Sequence, residues 1–265
     1  MPFVSINSVN DPEVKPYRDL PQQRLGKRSG LFVVEGSFLV DCLLDSSFET
    51  VALFVERRRA DEFVEKVSQE VPMYVADKSI FQQILGFPFH RGVLACGRRQ
   101  ANRTFQHLMT GLQEEAILVV GHDVKDPQNL GGILRNCAAF GVDGVLLGTT
   151  CADPFSRRVL RTSMGAVLKL AIVESKDMVT DLTRLGSEHQ FQRFAAVLSS
   201  MASPLDSMKR AARMALLFGN EAKGVSEELV SKCDHCVTIP MKMGTDSLNV
   251  SVASGIFLYQ FTSRI

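Results

Sequence analysis

The sequence predicts an α/β protein in two parts. A small N-terminal α/β unit precedes a larger unit with a mostly parallel sheet and helices on both faces. Three observations predict this. Short apolar runs alternate with stretches of helical period through the second half. The runs are apolar at nearly every residue, as strands covered on both faces are. The chain has 265 residues, 45% hydrophobic and 22% charged, which suits one large or two ordinary domains with a sizeable core. The boundary is placed between residues 108 and 109, giving units 1–108 and 109–265.

Residues 1 to 25 are polar and Pro-rich and read as extended or partly disordered. LFVVEG (31–36) is a strand and SFLVDCLLDS a helix. VALFVE (51–56) is a strand and ADEFVEKVSQE an amphipathic helix. MYVAD and GVLACG (92–97) are further strands, and RRQANRTFQHLMTGLQEE links the two units. The second unit opens with the strand ILVVGH (117–122) and the helix NLGGILRNCAAFG (129–141). GVLLG (144–148), LKLAIVE, FAAVLS (194–199), ALLFGN (215–220) and CVTIPM (236–241) follow as strands with helical stretches between them.

Net charge is only +1, so an anionic partner would have to meet a local basic surface. Six scattered cysteines and no apolar signal core predict reduced thiols in the cytoplasm. No stretch approaches the roughly 20 apolar residues of a membrane span. Cys233-Asp234-His235-Cys236 lacks a second ligand pair, so no metal is expected. His90 and His122 read as hydrogen-bonding or substrate-side residues.

In an open parallel sheet, ligands bind beyond the carboxyl ends of the strands. Three loops there carry unusual polar content. In HDVKDPQNLGGILR (122–135), Asn129 stands where its amide could cap a helix. Gly131-Gly132 could admit a phosphate at the helix start, and Arg135 lies six residues beyond Asn129. In LLFGNEAKGVS (216–226), Gly219 and Gly224 flank Asn220 and Glu221. The glutamate suits an acid–base group, an acceptor for a cation, or a helix N-terminal charge. In IPMKMGTDSLNVSVA (239–253), Ser247 is a candidate N-cap for an apolar helix from Val250 to Phe261. That helix is apolar nearly all round and so is expected to be buried.

Together these loops resemble the three motifs of the SpoU/TrmH class of RNA ribose 2′-O-methyltransferases, in the SPOUT superfamily. The first motif is carried by Asn129, Gly131 and Arg135, the second by Gly219, Glu221 and Gly224. The third is carried by Ile239-Pro240-Met241 and Ser247 to Ala253, and RTSMGA (161–166) resembles a further family stretch. Order and spacing also match. Ala222 stands where the family often has Gly, and Gly244 comes one residue later than in many relatives. The N-terminal half, through LFVVEG and FHRGVLA, is similar to the family's L30e-like substrate-binding domain.

The resemblance implies a C-terminal trefoil knot that binds S-adenosylmethionine, and a homodimer packed near the knot. It implies Arg135, Asn129, Glu221, Ser247 and Asn249 as catalytic residues. Gly219, Asn220, Gly224, Ile239, Met241 and Leu248 are implied for the cofactor, with Gly219 leaving room for it. The expected reaction is ribose methylation of RNA, ribosomal RNA favoured. The alternatives are the same reaction on tRNA, or a non-catalytic RNA-binding or ribosome-assembly protein. RNA would be held by basic residues, with Arg28, Arg91, Arg98, Arg99 and Arg161 as candidates. Binding through them weakens steeply with salt.

Overall fold

The structure, a computed structural model, describes residues 3–18, 30–87, 89–100 and 103–262. It divides into two units: Met1–Ala101 with Phe155–Leu168, and Asn102–Pro154 with Lys169–Ile265.

The first unit holds β1 (Val4–Ser5), β2 (Leu31–Glu35), α1 (Ser37–Leu44), β3 (Thr50–Glu56), α2 (Asp61–Val64), β4 (Met73–Ala76), α3 (Lys78–Leu85) and β5 (Val93–Arg98). Its sheet has the order β1-β4-β3-β5-β2. β1, β4 and β3 run parallel, while β5 is antiparallel to both its neighbours. Tyr17, Phe54, Phe81 and Leu94 fill its core.

Two expectations are corrected here. The first residues are not merely extended, because Pro12–Tyr17 forms a 3-10 helix. Val14 and Tyr17, three residues apart, put one face into the core, and the Tyr17 hydroxyl donates to the Ala52 carbonyl at 2.8 Å. Arg28, with Arg24 and Lys27, lies outside the described residues. The helix expected over residues 60–70 is a single turn, α2. Beyond Val64 only Val67 is buried, too little apolar surface to hold more turns against the core.

In the second unit, α4 (Phe105–Thr110) comes from the linking stretch, and Phe105, Leu108 and Met109 join the core. β6 (Ala116–Gly121), α5 (Pro127–Ala139) and β7 (Gly144–Gly148) follow. The next helix, α6 (Arg157–Thr162), belongs to the first unit. The chain continues with β8 (Ile172–Ser175), α7 (Met178–Ser187), β9 (Gln192–Ala196), β10 (Ser203–Pro204), β11 (Arg213–Phe218), α8 (Glu227–Val230), β12 (His235–Thr238) and α9 (Val250–Thr262). The sheet order is β10-β12-β9-β11-β6-β7-β8, and every neighbouring pair is parallel. β6 is buried at all six positions, as a central parallel strand must be. β12 stops at Thr238, two residues before Pro240, which has no N–H for a ladder.

Within the first unit, α6 is clamped by Glu35. The carboxylate is 4% exposed and accepts from Arg157 at 2.6 Å and Arg161 at 2.8 Å. Burial pushes the Glu35 carboxyl up, but the two guanidinium groups outweigh it and hold it below the ordinary carboxylate range. Phe155 packs beside Phe32 and Phe48, with centroids 5.1 and 5.6 Å away.

The last helix also departs from expectation. α9 buries Ser254, Phe257, Leu258 and Phe261, one stripe at helical spacing. Phe257 meets Phe218 of β11 edge-on at 5.6 Å, and Phe261 meets Phe194 of β9 at 5.6 Å. The opposite face stays open, with Val252, Ile256 and Tyr259 at 51%, 38% and 64% exposure. Apolar composition alone could not separate a helix buried all round from one with a second, uncovered apolar face. Among the described residues no helix is long and apolar enough to cross a membrane.

Candidate active site

Three loops leave the carboxyl ends of β6, β11 and β12 in the second unit, and their polar side chains converge. In the first, the α5 N-cap is Asp126, whose carboxylate accepts from the Gln128 N–H at 2.8 Å. Asn129 is therefore not the cap. It sits in the first turn, 8% exposed, with its amide turned toward the other two loops. For Gly132, the second of the paired glycines, the structure gives a packing reason. A Cβ on Gly132 would lie 2.6 Å from the Ser251 Cβ, so this glycine lets α5 and α9 cross closely.

The second loop is closed on itself. Asn220 and Gly224 exchange backbone hydrogen bonds, both 2.9 Å. The Asn220 Oδ1 accepts from the N–H groups of Ala222 and Lys223, both at 3.0 Å. Its Nδ2 reaches across to the Asp123 carbonyl at 2.9 Å. A Cβ at Gly219 would meet the Gly224 carbonyl oxygen at 2.3 Å. The glycine is thus required by the loop's own backbone, and not simply to leave room for a ligand.

Glu221, on the same loop, accepts from the Asp126 N–H at 3.1 Å and from Asn129 Nδ2 at 3.0 Å, both on Oε1. Partial burial raises its pKa, but these hydrogen bonds and others from nearby backbone N–H groups outweigh burial and leave the carboxyl below its ordinary value. Its negative charge serves the N-terminus of α5, so the helix-charge option holds, though for an earlier helix in the chain.

In the third loop, Asn249 precedes α9, and its Oδ1 accepts from the Ser251 N–H at 2.9 Å. Asn249 is the cap by geometry, in place of Ser247, which is exposed. Asn249 Nδ2 donates to Asn129 Oδ1 at 2.8 Å. Residues 129, 221 and 249 thus form one hydrogen-bonded chain, its two links joining residues 92 and 120 positions apart. Two further members, Ser251 and Asn136, carry no site role in the sequence-based assignment. Ser251 donates its hydroxyl to Asn249 Oδ1 at 2.6 Å, and Asn136 Nδ2 donates to the Ser251 carbonyl at 2.6 Å. Ser251 lies in the quoted third motif, and the i, i+2 spacing from Asn249 was the available signal. Asn136, next to Arg135, gave none.

Beside this chain lies a cavity of about 440 Å³. Gly219, Asn220, Glu221, Gly224, Ile239, Met241, Ser247, Leu248 and Asn249 all line it. Ala196, Val197 and Phe257 add apolar wall. The size and mixed lining are those of a small-molecule site. Arg135 does not line the cavity. It is exposed on α5 and has no hydrogen-bond or ion-pair partner among the described residues.

The RNA candidates are in the first unit. Arg161 is held by Glu35, and Arg91 Nη1 donates to the Glu35 carbonyl at 3.2 Å. Arg98 pairs with Glu49 at 2.8 Å, and the Arg99 guanidinium lies 5.0 Å from the Phe155 ring centroid. No group of three His, Cys, Asp or Glu side chains suited to a metal gathers among the described residues.

The model of the SpoU rRNA methylase family matches residues 116–259, which contain all three loops. The chain belongs to this family. It is therefore a SpoU-family RNA methyltransferase. An uncharacterized tRNA/rRNA methyltransferase of Mycobacterium bovis is 35% identical over 96% of this chain and 89% of its own length. The 23S rRNA (guanosine-2′-O-)-methyltransferase RlmB of Acinetobacter baylyi is 27% identical over 85% of this chain and 94% of its own. Among solved structures, the AdoMet-bound rRNA methyltransferase of Sinorhizobium meliloti matches with a TM-score of 0.80. It covers 97% of this chain and 96% of its own, and its 24% identity supports the shared fold.

Proposed function

We propose that this family member transfers a methyl group from S-adenosylmethionine to the 2′-hydroxyl of a ribose in ribosomal RNA, in the cytoplasm. The observation that carries this reading is the Glu221–Asn129–Asn249 hydrogen-bond chain standing at the wall of the 440 Å³ cavity. Two AdoMet-bound family structures share the fold, and the A. baylyi relative is named for ribosomal RNA. The residues present fit the cofactor. Ile239, Met241, Leu248 and Val197 offer an apolar slot, and the closed loop at 219–224 offers backbone groups at its rim. Bound there, S-adenosylmethionine supplies an electrophilic sulfonium methyl. All six cysteines are free thiols, as a reducing compartment favours.

The chain's own residues do the rest. Glu221 is tied through Asn129 to Asn249, so the two cavity-lining loops that carry Glu221 and Asn249 are fixed to each other before substrate arrives. Ser247, exposed and lining the cavity, hydrogen-bonds the ribose in this reading. Arg135, outside the wall of this chain's own cavity, acts across the homodimer proposed below, donating to the anionic oxygen that develops at the partner's cavity as the 2′-hydroxyl loses its proton to solvent. A guanidinium keeps its own proton, so it is a donor here and not a base. Arg91, Arg98, Arg99 and Arg161 form the basic surface of the N-terminal L30e-like domain that holds RNA, and Arg28, outside the described residues, is a sequence candidate for the same role.

The test is incubation of the protein with labelled methyl donor and separate rRNA and tRNA pools from cells lacking it. Nuclease digestion then reads out the products. Labelled 2′-O-methyl nucleoside from rRNA is expected. Label from tRNA alone would move the substrate, and label from neither would leave a binding protein.

We further propose a homodimer and a trefoil-knotted C-terminal segment. The uncovered apolar face Val252, Ile256 and Tyr259 supports the dimer, since an apolar stripe on a helix is stable when covered. The insertion of β12 between β10 and β9, with α9 returning onto α5, supports the threading. Sedimentation is expected to show a dimer that Ile256→Asp converts to monomer. A monomer at all concentrations removes the dimer, and an experimental chain trace without threading removes the knot.

A further inference from the structure

We propose that Ser251 is a positioning residue for this site, the head of a one-way hydrogen-bond relay from Ser251 through Asn249 and Asn129 to Glu221. The proposal rests on the reading of the cavity as the S-adenosylmethionine site.

Direction is the central point. An amide side chain can be turned end for end at little cost unless its neighbours allow only one orientation. Here both ends of the chain are one-sided. At the head, the Ser251 N–H and hydroxyl both point at Asn249 Oδ1, at 2.9 and 2.6 Å. Two donors on one oxygen leave Asn249 Nδ2 to face Asn129, whose Oδ1 accepts at 2.8 Å. That in turn leaves Asn129 Nδ2 to face Glu221 Oε1 at 3.0 Å. At the tail, an ionised carboxylate can only accept. Reversing either amide would set oxygen against oxygen and nitrogen against nitrogen. Asn129 is buried, so water is a poor substitute partner there.

Ser251 is itself held in place. Its carbonyl accepts from Asn136 Nδ2 at 2.6 Å and from the Ser254 hydroxyl at 2.8 Å. Its Cβ faces the bare Cα of Gly132, where any larger residue on α5 would collide. Ser251 does not line the cavity, whereas Asn249 and Glu221 do, on separate loops. The relay therefore ties two walls of the cavity together through the α5–α9 crossing. Its loss is felt as weakened cofactor binding.

The test is a double-mutant cycle read by titration calorimetry with S-adenosylmethionine, on the parent, Ser251→Ala, Asn249→Ala and the double variant. Ser251→Ala is expected to weaken binding about three- to tenfold, the size of one hydrogen bond. The double variant is expected to bind no more weakly than Asn249→Ala alone. Additive losses, or a Ser251→Ala affinity equal to the parent's, overturn the relay. A second measurement needs no variant. In the parent, lowering the pH through the Glu221 titration is expected to shift the side-chain NH₂ resonances of Asn129 and Asn249 together. A shift at Asn129 without one at Asn249 overturns the proposal. If the parent binds no S-adenosylmethionine, the reading of the cavity fails, and the resonances alone decide the relay.

Discussion

Arg135→Ala lowers methyl transfer at least about a hundredfold, the scale of losing one donor to a developing oxyanion. Affinity for S-adenosylmethionine stays within about twofold of the parent. The separation follows from where the side chain lies. Arg135 is six residues beyond Asn129 on α5, about 9 Å along the helix axis. It is exposed, is absent from the cavity wall, and has no hydrogen-bond or ion-pair partner among the described residues. Its removal leaves no buried group unsatisfied, so the melting temperature is expected to hold. Arg135→Lys keeps the charge but loses the planar fork, and an intermediate rate is expected. Rate is measured under single turnover with saturating RNA, and affinity by calorimetry. A fall in affinity as large as the fall in rate would falsify this division of roles.

The second large effect is expected at Gly219. An added methyl would stand 2.3 Å from the Gly224 carbonyl oxygen, 2.4 Å from its carbon and 2.5 Å from the Val225 nitrogen. All three are backbone atoms, so no side chain can swing aside. The 219–225 loop must open, and the paired backbone hydrogen bonds between Asn220 and Gly224 go with it. Gly219→Ala is expected to cost about 1–3 kcal/mol of stability, as overpacking does. S-adenosylmethionine affinity falls by more than about a hundredfold, because Glu221 leaves its place at the cavity wall. Gly224→Ala is the contrasting case. Nothing lies within 4 Å of its added methyl, but its φ of +69° is a left-handed conformation. That substitution costs roughly 1–2 kcal/mol of backbone strain with the loop kept closed. Equal cofactor affinities for the two variants would show that backbone collision is not what makes Gly219 necessary.

The two glycines show how far residues can be read before a fold is seen. Gly219 was legible as a strand-end glycine leaving room for a ligand and Gly224 as a bend, but what the backbone requires of each was not. A glycine needed for φ and a glycine needed for space look the same in sequence. The second reason depends on which backbone returns against it. Capping was misread for a related cause. Asn129 and Ser247 are good cap residues by type, yet Asp126 and Asn249 do the capping. Several polar residues near a helix start compete, and the winner is set by which partner is within reach. Asn129 found Glu221, 92 positions away, and so was unavailable to its own helix.

The parallel sheet of the second unit, its apolar strands and its three polar loops followed from the sequence. Periodicity and burial are local properties, and a covered parallel strand must be apolar throughout. The motif residues Asn129, Glu221 and Asn249 were named from the sequence as well. Tertiary structure decided that they touch, in which direction their hydrogen bonds run, and that Ser251 heads the series. It also decided that α9 buries one apolar face and leaves Val252, Ile256 and Tyr259 uncovered. Local sequence specifies what a segment can bury and which groups it can offer. Which surface arrives to be buried, and which donor meets which acceptor, depends on chain segments about a hundred residues apart.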